Sequence, residues 1–196
     1  MSVEREQPVP APDFESLYRG DPDPWQVTSS WYEQRKLAVV LASLPKRRYR
    51  SAWEPGCGPG IISAALADRV DDLVASDVSA RAIELAKLRC SGIGHLRFTV
   101  SELPAVAVER PVELVVVAEF LYYVQDLASA LDAIWSATLP GGDVAFLHWA
   151  HRPGDAYRSG PEMHADIAID AVDRDTVRMV THADSDFLLD IYEVPR

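Results

Sequence analysis

Cysteine is scarce in this chain of 196 residues, which holds only Cys57 and Cys90. Two cysteines give neither a disulfide framework nor a metal-ligand spacing, and they point to a reducing, cytoplasmic setting with no bound metal. Basic charge is short too. Lys and Arg number 19 against 30 Asp and Glu, for a formal net charge of −11. Phosphate backbones are held by clustered cations, so nucleic acid is not an expected partner. The one basic cluster, residues 46–50, reads as a solvated loop. No apolar run approaches the roughly 20 residues of a membrane span. Residues 1–12 are polar and lack the apolar stretch of a signal peptide. What remains is 48% hydrophobic and 25% charged, the make-up of a water-soluble globular domain. The length predicts one domain with a substantial core. Residues 1–20 are expected as a flexible tail, with a short helix over 13–19 that puts Phe14, Leu17 and Tyr18 on one side, and 21–196 as the domain, with a helical lid over about 21–45.

Glycine is spent in one place. Gly56, Gly58 and Gly60 follow a short β-prone run that ends in Glu54, and an apolar-periodic helix begins at Ile61. Alternate glycines let backbone turn tightly and approach a ligand, and the next helix offers unpaired N–H groups in its first turn. The dinucleotide fingerprint needs glycines at spacing two and then three. Here they are spaced two and two, with Ile61 and Ser63 where either register would require glycine. An acid at Glu54 suits a cationic ligand better than a pyrophosphate. The acid followed by Gly-x-Gly-x-Gly resembles the first motif of class I S-adenosyl-L-methionine-dependent methyltransferases.

From there strands and helices alternate. Strands are expected at 72–78, 96–100, 113–119 and 143–149, and helices at 61–70, 79–91, 126–139 and 162–172. Leu114 to Val117 form a continuous apolar run, the signature of a central parallel strand. Pro140-Gly141-Gly142 reads as a turn, and 176–181 with 187–194 as a final antiparallel pair. Upstream, Ser29 or Ser30 caps a helix from about Trp31 to Leu44, with Leu37, Val40, Leu41 and Leu44 on its apolar face. Such alternation predicts an α/β fold, a doubly wound open sheet with helices on both faces. The methyltransferase resemblance adds seven strands, Rossmann-like and mostly parallel, in the order 3-2-1-4-5-7-6 with the last one antiparallel.

Ligands of such sheets sit at the carboxyl ends of the strands, near the switch point. Asp77 ends the second strand, where a carboxylate accepts the hydroxyls of a ribose, and the adjacent Val78 belongs to the same site. The competing role for Asp77 is a helix cap. Glu119 ends the fourth strand, followed by Phe120 to Tyr123, and His148 and His151 end the fifth. These groups are candidates for proton handling or for stabilising a cation, with Tyr122 beside them. A strand-end carboxylate in water, core tyrosines and structural histidines are the alternatives. Glu102 and Leu103 follow the third strand; by the resemblance they would hold adenine, an acid to its amine and an apolar side chain against its ring.

The aromatic and charged stretch before the sheet narrows the resemblance. Asp23-Pro24-Trp25, Ser30 to Lys36, Glu54 to Cys57, Ala118 to Tyr123 and Leu147 to His151 together are similar to the nodulation-protein-S family. The similarity runs over about 21–192. Its best-known members N-methylate the free amine of a de-N-acetylated chitooligosaccharide. The resemblance implies S-adenosyl-L-methionine as cofactor, bound by Glu54, the three glycines, Asp77 and Glu119. Trp31, Tyr32 and Arg35 would close over it, with Arg35 meeting its carboxylate. It also implies a small-molecule acceptor, an amine of an amino sugar or oligosaccharide. O-methylation of another metabolite, a nicotinamide-dependent oxidoreductase and a non-catalytic nucleoside-binding relative are the alternatives, and the oligomeric state stays open.

Overall fold

The computed structural model describes residues 12–196. The expected tail therefore lies outside the described residues up to position 11. In its remainder Phe14–Gly20 form a helix, α1, within a residue of the short helix expected over 13–19, and that helix is docked on the fold instead of free. Asp13 caps it, accepting the Ser16 N–H at 3.1 Å. Glu15 ties α1 down by accepting the Ser79 hydroxyl at 2.7 Å and the Arg81 N–H at 3.0 Å, and Tyr18 is buried. These contacts are long-range, so local sequence did not reveal that this piece is part of the fold. The Asp-Pro repeat then breaks the helix, and Asp23 accepts the Val27 N–H at 2.7 Å. Helix α2, Trp31–Ser43, starts on Ser30, which accepts the Glu33 N–H at 3.2 Å.

The sheet is built from β1 (Ala52–Pro55), β2 (Leu73–Asp77), β3 (Leu96–Val100), β4 (Val112–Ala118), β5 (Thr138–Trp149), β6 (Val177–Ala183) and β7 (Phe187–Glu193). Their order is β3-β2-β1-β4-β5-β7-β6. The first five strands pair in parallel, and β7 runs antiparallel between β5 and β6. This is the doubly wound α/β sheet expected from the alternation of elements, with the strand order that the resemblance implied. Helices α3 (Ile61–Leu66), α4 (Ala80–Arg89), α5 (Leu127–Ser136) and α6 (Gly160–Asp173) make the crossovers. Ser79, Asp126 and Ser159 cap the last three, and Ser159 with Glu162 forms a capping box.

Both faces of β4 are dry. Leu114 and Val116 join the core under α2, α3 and α4, while Val115 and Val117 join the core under α5 and α6. Two elements differ from expectation. Helix α3 stops at Leu66 and passes into a 3-10 turn at Ala67–Arg69. Pro140 to Gly142 are not a turn but part of β5, and the pairing register with β4 shifts between Val112 and Leu114 to accommodate them. Turn-forming residues in sequence cannot be told from a strand irregularity until the neighbouring strand is in place. Among the described residues, no helix is long and apolar enough to cross a membrane.

Candidate active site

Strand order reverses between β1 and β4, and there a cavity of about 930 Å³ opens at the carboxyl ends of the parallel strands. The floor comes from the loops after β1 to β5. The roof comes from α1 and α2, through Phe14, Tyr18, Tyr32, Glu33, Lys36 and Leu37. Helix α1 thus lines the cavity from outside the segment 21–45.

The glycine loop forms one wall. Gly56 and Gly58 have φ of +67° and +50°, a region that side chains disfavour. A Cβ on Gly56 would lie 2.4 Å from the Phe120 ring, and one on Gly58 would lie 2.8 Å from the Tyr18 hydroxyl. The loop is bare so that these rings can close upon it. Gly60 does different work. It lies off the cavity, where a Cβ would come within 3.1 Å of the α4 backbone at Ala86. Asp77 spans the loop and α4: its Oδ2 accepts the Gly58 N–H and its Oδ1 the Ser79 N–H, both at 2.9 Å. Burial raises its pKa, and the two backbone bonds oppose that rise. Asp77 lines the cavity, and the helix cap set against its ligand role falls to Ser79, whose N–H Asp77 accepts. Beneath the loop, Glu54 is buried and accepts the Ser63 hydroxyl at 2.5 Å. Burial pushes Glu54 up to about 8, with the Asp77 carboxylate adding to the effect.

Val78, Glu102 and Leu103 line the wall beyond Asp77. On the opposite side Glu119 takes φ of +61° at the end of β4 and gathers four donors. Its Oε1 accepts Lys36 Nζ at 2.5 Å and the Tyr32 hydroxyl at 3.4 Å. Its Oε2 accepts the Tyr122 hydroxyl at 2.7 Å and the Trp149 N–H at 2.8 Å. Every lone-pair direction of the carboxylate is engaged. Among the described residues that line the cavity, eight are carboxylic acids and Lys36 is the one lysine or arginine. Aromatic rings fill much of the remainder, including Trp25, Phe120 and Tyr123.

Besides Gly60, four sequence candidates do not line this cavity. Trp31 is 75% exposed at the start of α2. Arg35 points the other way, paired with Asp184 and Asp186 in the β6–β7 hairpin and lying 5.1 Å over the Phe187 ring. His148 is fully buried behind the wall, and His151 is exposed, edge-on to Trp149. The reason is geometric. Successive residues of a helix are turned by about 100°, and alternate residues of a strand face opposite sides. Lys36 therefore faces the cavity where Arg35 does not, and Leu147 and Trp149 line it where His148 does not. Sequence reasoning passed over Lys36 and Tyr18. The signal for Lys36 was its place four residues after Tyr32, on the same helix face.

His148 belongs to a buried polar chain. His164 Nδ1 lies 2.7 Å from Asp190 Oδ2, and His164 Nε2 lies 3.1 Å from His148 Nδ1. A carboxylate only accepts, so His164 Nδ1 donates to Asp190, and the two facing ring nitrogens share one proton. His148 Nε2 has no hydrogen-bond partner among the described residues. Burial, followed by the neighbouring His164, holds the His148 pKa well below the usual histidine range.

Known proteins place this geometry in a family. The family model of nodulation protein S (NodS) matches residues 17–180. Nodulation protein S of Rhizobium tropici is 31% identical over 128 residues, covering 63% of this chain and 54% of that protein. This chain spans about half the length of the curated nodulation proteins it matches. A Pseudomonas syringae protein provisionally assigned as a methyltransferase is 36% identical, with a TM-score of 0.73 over 84% of this chain and 99% of its own. The crystal structure of N-methyltransferase NodS from Bradyrhizobium japonicum WM9 is 26% identical, with a TM-score of 0.73 over 84% of this chain and 97% of its own. The same protein in complex with S-adenosyl-L-homocysteine shares the fold, with a TM-score of 0.75 over 93% of this chain and 98% of its own, at 24% identity. The chain belongs to the nodulation protein S family.

Proposed function

We propose that this protein is an S-adenosyl-L-methionine-dependent methyltransferase that acts on an amine of a small molecule, an amino sugar or oligosaccharide. One observation carries the reading: a bare glycine loop and the Asp77 carboxylate face an acidic, aromatic cavity at the switch point. The residues present fit a nucleoside with a cationic centre. The loop has no room for side chains, Asp77 lies where ribose hydroxyls are met, and carboxylates and ring faces attract a cation. The glycines are spaced two and two, without the two-then-three spacing of the dinucleotide fingerprint, which argues against a nicotinamide ligand.

Glu54, Gly56, Gly58, Asp77 and Val78 would hold the cofactor's nucleoside side, with Glu102 and Leu103 beyond. When bound, the cofactor supplies an electrophilic methyl group on a sulfonium. The chain's own work is positioning: Tyr32, Tyr122 and Trp149 set the shape of the cavity about Glu119. Glu119 already accepts four hydrogen bonds, so it acts as a fixed negative charge that favours a developing cation, not as the group that removes a proton. His148 is sealed off and His151 is exposed, so the amine's proton leaves to water. Two unpaired buried thiols, Cys57 and Cys90, suit a reducing cytoplasm.

Calorimetry with S-adenosyl-L-homocysteine tests the cofactor; a dissociation constant in the micromolar range is expected, about 8 kcal/mol. Transfer of a labelled methyl group from S-adenosyl-L-methionine to chitosan oligosaccharides, amino sugars and hydroxylated metabolites tests the acceptor. Absence of cofactor binding removes the reading, and labelling of hydroxyl acceptors alone replaces N- with O-methylation.

A further inference from the structure

Lys36 lies deeper than its neighbours on α2, with its side chain only 3% exposed. Its ammonium is 2.8 Å from Glu33 Oε1, 2.5 Å from Glu119 Oε1 and 4.5 Å above the centre of the Tyr32 ring. A desolvated ammonium is costly unless it is paired, and here two carboxylates and a ring face fix it from three sides. Glu33 and Tyr32 belong to α2 itself. Glu119 does not, so the Lys36–Glu119 contact is a charged link between the roof helix and the sheet. The other link to Glu119, from the Tyr32 hydroxyl, is long at 3.4 Å.

Glu119 passes this link onward. The same carboxylate accepts the Tyr122 hydroxyl and the Trp149 N–H, and both of those residues line the cavity. Its left-handed backbone, φ +61°, is a conformation that a side chain keeps only when its surroundings enforce it. Through the Glu119 carboxylate, Lys36 is therefore linked to the end of β4, the 3-10 turn at Leu121–Tyr123 and the end of β5.

We propose that Lys36 is a positioning residue: its ion pair with Glu119 latches α2 over the cavity and sets where the Glu119 carboxylate stands during methyl transfer. The inference rests on the methyltransferase reading above. Arg35, one residue earlier, anchors α2 to the β6–β7 hairpin instead and leaves the cavity side to Lys36.

Lys36→Met, Lys36→Arg, Glu119→Gln and the double variant Lys36→Met/Glu119→Gln test it. Readouts are kcat and KM, S-adenosyl-L-homocysteine affinity, and amide exchange over 31–43 followed by mass spectrometry. In Lys36→Met, kcat should fall about 10- to 100-fold, the cost of sub-ångström to ångström misplacement. Its cofactor affinity should stay within about threefold. Exchange over 31–43 should rise about tenfold as α2 opens more often. Lys36→Arg, which keeps the charge, should return most of the lost kcat. The double variant should be no slower than the slower single one, because both remove the same link. Unchanged exchange over 31–43, a kcat within twofold of the parent, or losses that multiply in the double variant would overturn the latch. Should Lys36→Met fail to fold, Glu119→Gln carries the same exchange test. A parent protein that binds no S-adenosyl-L-homocysteine removes the methyltransferase reading, while exchange over 31–43 still reports on the latch separately.

Discussion

Asp77 Oδ2 accepts the Gly58 N–H at 2.9 Å, so the acid that ends β2 and the crown of the glycine loop hold each other in place. With Oδ1 on the Ser79 N–H, the carboxylate also fixes the start of α4. Asp77→Ala is expected to lose about 100-fold or more in S-adenosyl-L-homocysteine affinity, since hydrogen bonds to a charged group are each worth about 1.5–3 kcal/mol. It should also cost about 2 kcal/mol of stability, because two backbone donors lose their acceptor. Asp77→Asn, which keeps one acceptor oxygen, should fall between. Calorimetry and urea unfolding measure both; an alanine variant with parental affinity would remove Asp77 from the site.

Glu54 makes stability fall as pH rises. Its folded pKa of about 8 stands above the ordinary 4.5, so between those values the native state keeps a proton that the unfolded chain has released. The unfolded state binds fewer protons, and stability declines with pH across that window. At about 1.4 kcal/mol per unit the whole effect is on the order of a few kcal/mol. Glu54→Gln keeps a partner for the Ser63 hydroxyl and has no charge to bury, so its thermal midpoint should change less between about pH 5 and pH 8. Parallel pH profiles for the two proteins would show that Glu54 carries no such proton.

Cationic ligand and Glu54 are linked in turn. A sulfonium nearby favours the ionised carboxyl, so binding near neutral pH should release a fraction of a proton. Calorimetry in buffers of differing ionisation enthalpy reads that release directly, and Glu54→Gln should abolish it. A buffer-independent heat in the parent protein would contradict the coupling.

Arg35 is paired with the β6–β7 hairpin and lies outside the cavity. Arg35→Ala should therefore leave S-adenosyl-L-homocysteine affinity within about threefold. Its cost in stability should be small, because the pair is partly exposed to water. A large loss of affinity with little loss of stability would return Arg35 to the cofactor site.

His148 should stay neutral in mildly acidic solution. Its native pKa is lowered well below 6.5 by burial, while the unfolded chain takes up a proton at the ordinary value. The unfolded state then binds more protons, so this residue costs stability as pH falls below about 6.5. Nuclear magnetic resonance of the ring carbons should show no titration of His148 between about pH 7.5 and pH 5.5. An ordinary titration curve would mean that the His148–His164–Asp190 chain is open to water.

Much of the fold was legible because it is written in short-range signals. The Leu114 to Val117 run announced a strand dry on both faces, and the loop from Gly56 to Gly60 announced a strand-to-helix turn that bares backbone. Asp77, Val78, Glu102, Leu103, Glu119 and Tyr122 came together in one cavity because each follows a parallel strand at its carboxyl end. Arg35, Trp31 and the two histidines did not, since which way a side chain faces depends on helix rotation and strand register. The place of α1 was hidden for the same reason: Glu15 finds its partners, Ser79 and Arg81, far along the chain.

By itself the sequence determined the alternation of strands and helices, the position of the glycine loop, and the acids that end the strands. Periodicity and turn chemistry act over a few residues and need no partner. Only the tertiary structure decided that Lys36 faces Glu119, that Tyr18 closes on Gly58, and that His148 is sealed behind the wall. Those outcomes depend on how packed elements rotate against one another, a choice made by the whole core rather than by any local stretch.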